Sequence, residues 1–224
     1  MTFAIHGLAV ARGIAIGRAV LLAPPNQGSQ IITDATGRHT NVSHGGAPIT
    51  VVRTPLYGAY DGNSALFAFN NSVGNNLGWH ELQGNLPDFT WYGNFDIDLY
   101  FLHENTDDDW MEVLGSHNTT TPGMQLEDFS NFWLAMNGGI NGGTMRVYAG
   151  GSVIIEGPVN TYGRFGHINL KRVGSLITLS CDGVEVGSYS RNGVVGGGVF
   201  VFGGTETTHS LRACYLDLVN ITKG

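Results

Sequence analysis

Residues 163–187 read GRFGHINLKRVGSLITLSCDGVEVG, and this stretch decides the fold. Gly166–Arg172 and Leu176–Asp182 are short alternating runs, separated by Val173-Gly174-Ser175. Asp182-Gly183 is a two-residue turn signal, and Val184–Ser190 begins a third run directly after it. Three short runs joined by tight turns make a β-meander. A helix of this length would not tolerate so many glycines.

The same rhythm continues on both sides. Ser64–Asn70, Phe95–Leu102, Trp110–Leu114, Phe129–Met136, Thr144–Tyr148, Ser152–Ile155, Val199–Phe202 and Leu211–Ile221 are further candidate strands. In the longest, Phe95, Ile97, Leu99 and Phe101 face one way, while Asp96, Asp98, Tyr100 and Leu102 face the other. Turn signals lie between them at Asn137-Gly138-Gly139, Asn141-Gly142-Gly143, Gly150-Gly151 and Asn192-Gly193. Strands at this spacing predict an all-β, two-sheet sandwich. No βαβ rhythm appears.

Composition agrees. The 224 residues include 34 Gly, and only 13 % are charged, whereas 42 % are apolar. Such a chain can bury a core, and its glycines serve turns that need φ > 0. Net charge is −7, unevenly spread. Residues 1–53 hold four Arg against Asp34, whereas residues 54–145 hold twelve acidic residues and no Lys or Arg. That acidic middle repels a phosphate backbone, so nucleic acid is not expected as a partner. Cys181 and Cys214 fall in separate segments, and two buried thiols are expected rather than a staple. No Cys/His spacing suits structural zinc.

Residues 1–53 read differently from the rest. In Met1–Ala23, His6, Arg12 and Arg18 interrupt an apolar run, which fits neither a signal peptide nor a membrane span. Synthesis and folding in a cytoplasm are therefore expected. Gly7, Gly13 and Gly17 argue against a long helix, and Pro24-Pro25 breaks the segment. We read 1–53 as an extended or hairpin arm that docks on a neighbouring subunit. Arg12, Ile14, Ile16, Arg18, Leu21 and Leu22 are its candidate contacts. The arm's arginines, Arg38 and Arg53 included, are natural counter-charges to the acidic middle.

The hairpin at 163–187 resembles the laminin-G-like and concanavalin-A-like lectin/glucanase families. The shared pattern is an aromatic and a His, a strand ending in Arg, a Gly turn, and a strand leading into Asp-Gly-Val. Val199–Gly204 looks like the next strand with its Gly-Gly exit, and Leu211–Ile221 like the closing strand. Asp61–Leu66 and Phe89-Thr90 with Phe95–Phe101 resemble the early strands. Phe165 stands where Trp is common, and Cys181 where an apolar residue is usual. The resemblance implies a concanavalin-A-like jelly-roll sandwich over residues 54–224. A second likeness joins Phe3–Leu22 to the first strands of enzyme I of the bacterial sugar phosphotransferase system. Thr33–Thr40 only loosely echoes that family's phosphoacceptor motif, and its barrel does not fit in the remaining length, so phosphotransfer is not expected.

Glycosidases on this sandwich place acid and nucleophile on alternate residues of one strand. Asp96-Ile97-Asp98 is the nearest match, but Asn94 and Tyr100 flank it where the related glucanases carry Glu. No Gly-x-Ser-x-Gly elbow or phosphate loop occurs, so an enzyme is not expected. The favoured site is the rim loop Glu104–Trp110. There Asp107, Asp108 and Asp109 could take Ca²⁺ or sugar hydroxyls while Trp110 stacks on a ring. Trp79, Trp91 and Trp133 read as core or partly buried strand residues.

The resembled sandwich, the lack of an export signal and of a catalytic set, and the apolar arm make the leading expectation, by analogy with phage proteins that carry such sandwiches, a non-enzymatic structural or adhesive component of a bacteriophage virion (head decoration, tail or fibre). Its partners would be other copies or other virion subunits, reached through the arm. The alternative is a carbohydrate-binding module recognising a surface glycan.

Overall fold

The computed structural model describes residues 17–23, 33–34, 36–44, 50–52, 64–67, 79–84, 86–104, 110–117, 132–139, 142–197, 199–202 and 214–224. Their strands, in chain order, are β1 Gly17–Ala23, β2 Thr33–Asp34, β3 His39–His44, β4 Thr50–Val52, β5 Ser64–Phe67 and β6 Trp79–Gly84. After the 3₁₀ turn Leu86–Phe89 come β7 Phe95–His103, β8 Trp110–His117, β9 Phe132–Gly139, β10 Gly142–Ala149 and β11 Ser152–Val159. β12 Gly166–Val173, β13 Leu176–Cys181, β14 Val184–Ser190, β15 Val199–Phe202 and β16 Cys214–Lys223 complete them.

They form two antiparallel sheets. Sheet A runs β14-β13-β12-β7-β16-β1-β2, with β5 pairing both β16 and β4. Sheet B runs β11-β10-β9-β8-β15-β6-β3. The protein is an all-β jelly-roll sandwich. The meander at 163–187 lies where the sequence places it, as β12, β13 and the start of β14. Asp182 (φ 52°) and Gly183 (φ 78°) make its tight turn, both in the left-handed region that Asp tolerates and Gly favours.

Alternation becomes layering. Phe95, Ile97, Leu99 and Phe101 of β7 are fully buried beside Ile168 and Leu170 of β12 and Ile221 of β16. Sheet B answers with Leu134 and Met136 of β9 and Met145 and Val147 of β10. Burying a side chain of this size stabilises the fold by about 1.5–3 kcal/mol. At one edge the sheets approach closely: a Cβ on Gly157 of β11 would collide with Val186 of β14. Trp91, Phe95 and Phe132 cluster near one end, with Trp91 and Phe95 4.8 Å apart between centroids.

Arg172 closes that end from inside. It is 3 % exposed and donates to the carbonyls of Gly174 (2.8 Å), Gly193 (2.8 Å), Arg191 (3.1 Å) and Trp91 (3.4 Å). Burial, and then Arg191, lower its pKa. The terminal Arg of the sequence motif is thus a tie between loops.

Three features differ from the sequence reading. Within residues 1–53, the described strands β1–β4 pair into the two sheets. β1 pairs with β16 and β2, β3 pairs with β6, and β4 pairs with β5, so the boundary at residue 53 divides no described structure. The reason is that β16 needs a partner beyond β7, and β1 supplies that ladder. Arg38 does meet the acidic middle: its Nη2 lies 2.7 Å from Asp88 Oδ2 and donates to Oδ1 at 2.9 Å. His39 and Lys223 approach the same buried carboxylate, each at 3.3 Å. Second, Asn137-Gly138-Gly139 is not a turn. β9 continues through it, and Gly139 pairs with Gly142, leaving residues 140–141 as the connection. Third, β3 and β6 were not expected, being too polar to show an apolar alternation.

Cys181 is a free, buried thiol, and burial raises its pKa. β12, β7 and β16 succeed β13 in the sheet, so the strand bearing Cys214 is three places from that bearing Cys181. Among the described residues no helix is long and apolar enough to cross a membrane.

Candidate functional site

The outer face of sheet A gathers a polar set from β7 and β12. Because Phe95, Ile97, Leu99 and Phe101 face the core, Asp96, Asp98 and Tyr100 face outward. The register then opposes Lys171 to Asp96, Asn169 to Asp98 and His167 to Tyr100. Three outward residues of one strand meet three of the next, at the close range of directly opposed pairs.

Asn169 is the hub. Its Nδ2 donates to Asp96 Oδ1 at 2.5 Å and to Asp98 Oδ1 at 2.9 Å. His167 Nε2 lies 3.0 Å from the same Asp98 oxygen, and its ring stacks on Tyr100 with centroids 5.0 Å apart. Lys171 Nζ is 3.4 Å from Asp96 Oδ2. The Asp96 and Asp98 side chains are only 20 % and 25 % exposed. Burial raises the Asp96 pKa, and the neighbouring Asp98 adds to the effect. Two carboxylates are thus held together, half out of water, by an amide and an ammonium. Behind His167, its main-chain N–H donates to Asp182 Oδ1 at 2.9 Å. Arg164 pairs with Asp182 Oδ2 at 2.8 Å.

The rim-loop site is only partly described. Asp107, Asp108 and Asp109 lie outside the described residues. Trp110 opens β8, and the guanidinium of Arg146 sits 3.8 Å above its ring centroid, covering one face of the indole. Arg146 is itself held by Glu156 through Nε (2.8 Å) and Nη2 (3.2 Å). Of the proposed arm contacts, Arg12, Ile14 and Ile16 also lie outside the described residues. The backbones of Arg18, Leu21 and Leu22 pair with Thr222, Asn220 and Val219. Trp91 is core, and Trp133 is buried and stacked on Tyr148 at 4.6 Å. Among the described residues no three His, Cys, Asp or Glu side chains cluster as metal ligands.

The sequence singled out Asp96 and Asp98 as the nearest glycosidase pattern and set them aside. It missed Asn169, whose only signal is its outward parity on β12, and it noted His167 only as part of the lectin-like pattern, not as a site residue. Asn169 lies 71 residues from Asp98 in the chain, so only the register unites them.

No protein-family model and no curated protein sequence matches the chain. Solved structures do. Domain 4 of an extracellular GH43 arabinanase from Geobacillus stearothermophilus, in complex with arabinotriose, superposes with TM-score 0.60 at 13 % identity, covering 93 % of each chain. Botulinum neurotoxin type C, which depends on interaction with two ganglioside molecules to enter cells, gives 0.56 at 10 % identity over 92 % of this chain and 47 % of that one. Trypanosoma rangeli sialidase gives 0.55 at 13 %, over 92 % of this chain and 30 % of that one. This chain therefore spans under half of the toxin and sialidase chains. The likeness is one of fold: a sandwich of two antiparallel β-sheets.

Proposed function

We propose that the protein is a carbohydrate-binding module and that the outer face of sheet A is its glycan-recognition surface. The observation that carries this is the outward Asp96–Asn169–Asp98–His167 array with Tyr100 stacked at its end. Carboxylates and amides are the acceptors and donors that sugar hydroxyls need, and an aromatic beside them offers an apolar surface to a ring. Two neighbours in fold are described with glycans, which supports this reading ahead of a structural virion component. Binding rather than hydrolysis is proposed because Asn94 and Tyr100 stand at the alternate positions where a glucanase strand carries Glu. Asn169 and Lys171, moreover, already engage both carboxylates.

The test is a broad glycan array with the full chain. Binding should fall at least about tenfold, roughly 1.4 kcal/mol, in Asn169→Ala and Tyr100→Ala. It should survive in Trp110→Ala. Silence across the array overturns the reading. Loss in Trp110→Ala with retention in Asn169→Ala moves recognition to the rim.

A further inference from the structure

Of the six large apolar side chains that are exposed among the described residues, five gather at one end of the sandwich. They are Tyr92, Val153, Val173, Leu176 and Tyr189, between 41 % and 79 % exposed. Scattered singly, such residues are ordinary; gathered at one end, they mark a surface that meets something. The register gathers them. Val173 closes β12, Leu176 opens β13, and the two are direct partners across Gly174-Ser175. Leu176 also pairs with Ser190, and Ile177 with Tyr189, near the end of β14. Val153 follows the Gly150-Gly151 turn, beside Ala149, whose carbonyl accepts from Arg191 Nη1 at 3.5 Å. Tyr92 precedes β7, close to Asn94, whose Oδ1 accepts from the Gly174 N–H at 2.8 Å. Val184, the sixth, stands at the opposite end, after the Asp182-Gly183 turn.

These side chains ride on turns that are tied down. Arg172 donates to the carbonyls of Trp91, Gly174, Arg191 and Gly193, which flank Tyr92 and Val173 and follow Tyr189. Charge then selects the partner. Among the described residues this end carries Arg38, Arg172, Arg191 and Lys223 against one carboxylate, the buried Asp88. Lys223 belongs here because it pairs with Phe95 at the start of β7. Lys171 and Asp96, one step further along the sheet, offset each other. A cationic end on a chain of net charge −7 calls for an anionic partner. A second copy would set like charges against each other.

We propose that this end of the sandwich docks on an anionic phospholipid bilayer. Val153, Val173 and Leu176 enter the boundary of the acyl region, and the rings of Tyr92 and Tyr189 lie at headgroup depth. Arg38, Arg191 and Lys223 face the lipid phosphates. None of these residues belongs to the Asp96–Asn169–Asp98–His167 array, so this proposal and the glycan reading fail separately.

The test floats the full chain with vesicles of phosphatidylcholine alone or with about 30 % phosphatidylserine, at about 0.1 M and 0.5 M salt. Binding is expected on the anionic vesicles at low salt, with loss at high salt and little on the neutral ones. The double variant Tyr92→Ser, Leu176→Ser should bind at least about tenfold more weakly, because it removes two of the inserted side chains. Val184→Ser, at the opposite end, should bind as the wild type does. If the double variant does not fold, Tyr92→Ser alone decides, since Tyr92 is the most exposed of the set.

The proposal is overturned if the wild type floats with neither vesicle, or if the double variant binds as well as the wild type. Equal binding to neutral and anionic vesicles overturns it too, because the cations would then do nothing. A wild-type dimer that becomes a monomer in the double variant, without flotation, assigns this end to a second copy. Retention on immobilised poly-glutamate without flotation assigns it to an acidic protein. Either result replaces the bilayer.

Discussion

The two sheets present outward faces built from similar residues and put to opposite use. On sheet B, Arg146 is clamped by Glu156 and lies on Trp110, while Trp133 stacks on Tyr148 at an interplanar angle of 8°. Glu112, Trp133 and Ala135 on that face are each only 4 % exposed. Donors there meet acceptors in cross-strand pairs, and the aromatics are covered. On sheet A, two aspartates share one amide and one ammonium, and Asn220 Oδ1 has no hydrogen-bond partner among the described residues. The first face is satisfied; the second is held short of satisfaction. Unmet polar groups are costly to keep, and they concentrate where a ligand completes them.

If that contrast is right, substitutions on the two faces separate stability from binding. The largest effect should come from Trp133→Ala, which removes a buried aromatic from sheet B. A loss of about 3–5 kcal/mol in denaturant unfolding is expected, with glycan affinity of the surviving folded fraction unchanged. Loss of binding in that fraction would place recognition on sheet B.

Next in size is a pH effect shared by neither face. His103 is fully buried, 2.9 Å from Thr161 Oγ1, and burial lowers its pKa from 6.5. The unfolded chain then takes up the proton first, so stability falls as pH drops below about 6.5 toward the depressed folded value. Unfolding free energies at pH 7.5 and 5.5 should diverge in the wild type by more than in His103→Gln. Equal slopes would show that His103 does not titrate in this window.

Arg146→Ala should destabilise the fold only slightly at low salt and less at 0.5 M, with no change on the glycan array, because its partner Glu156 is solvent-exposed. The smallest effect has the opposite sign. Asp96 has its folded pKa raised by burial and by Asp98, so its ionised form opposes folding at neutral pH. That penalty disappears as pH falls through the folded pKa. Asp96→Asn should therefore raise Tm by a few degrees at pH 7, and by less at pH 4, while weakening ligand binding. A fall in Tm at pH 7 would mean that the Lys171 pair outweighs the repulsion.

How much of this was legible depended on range along the chain. The 163–187 meander and the parity of β7 depend on neighbours one or two residues apart, and both were readable. The polarity of Asp96 and Asp98 was readable too. Their partnership with Asn169 was not, because a sheet register is fixed by whole-face packing rather than by local signals. β3, HTNVSH, carries no apolar alternation, and its place in sheet B comes from pairing with β6. Of the apolar, Arg-dotted stretch that looked unable to bury itself, the described part Gly17–Ala23 finds a strand partner in β16. The acidic run at 107–109 drew attention by density of charge. The β7 pair has fewer charges but holds them in fixed geometry.

The position of β16 has a consequence for how the molecule is made. This strand lies between β7 and β1 in the interior of sheet A, and β5 pairs with it as well. Every other strand has been synthesised before residues 214–223 emerge from the ribosome. Until then β7 and β1 have no common partner, and their open edges can pair with other chains. Contacts of such long sequence separation also slow the search for the native state. Nascent chains should therefore need shelter from aggregation until β16 is released, and stop codons just upstream of residue 214 should give insoluble product rather than a smaller folded domain.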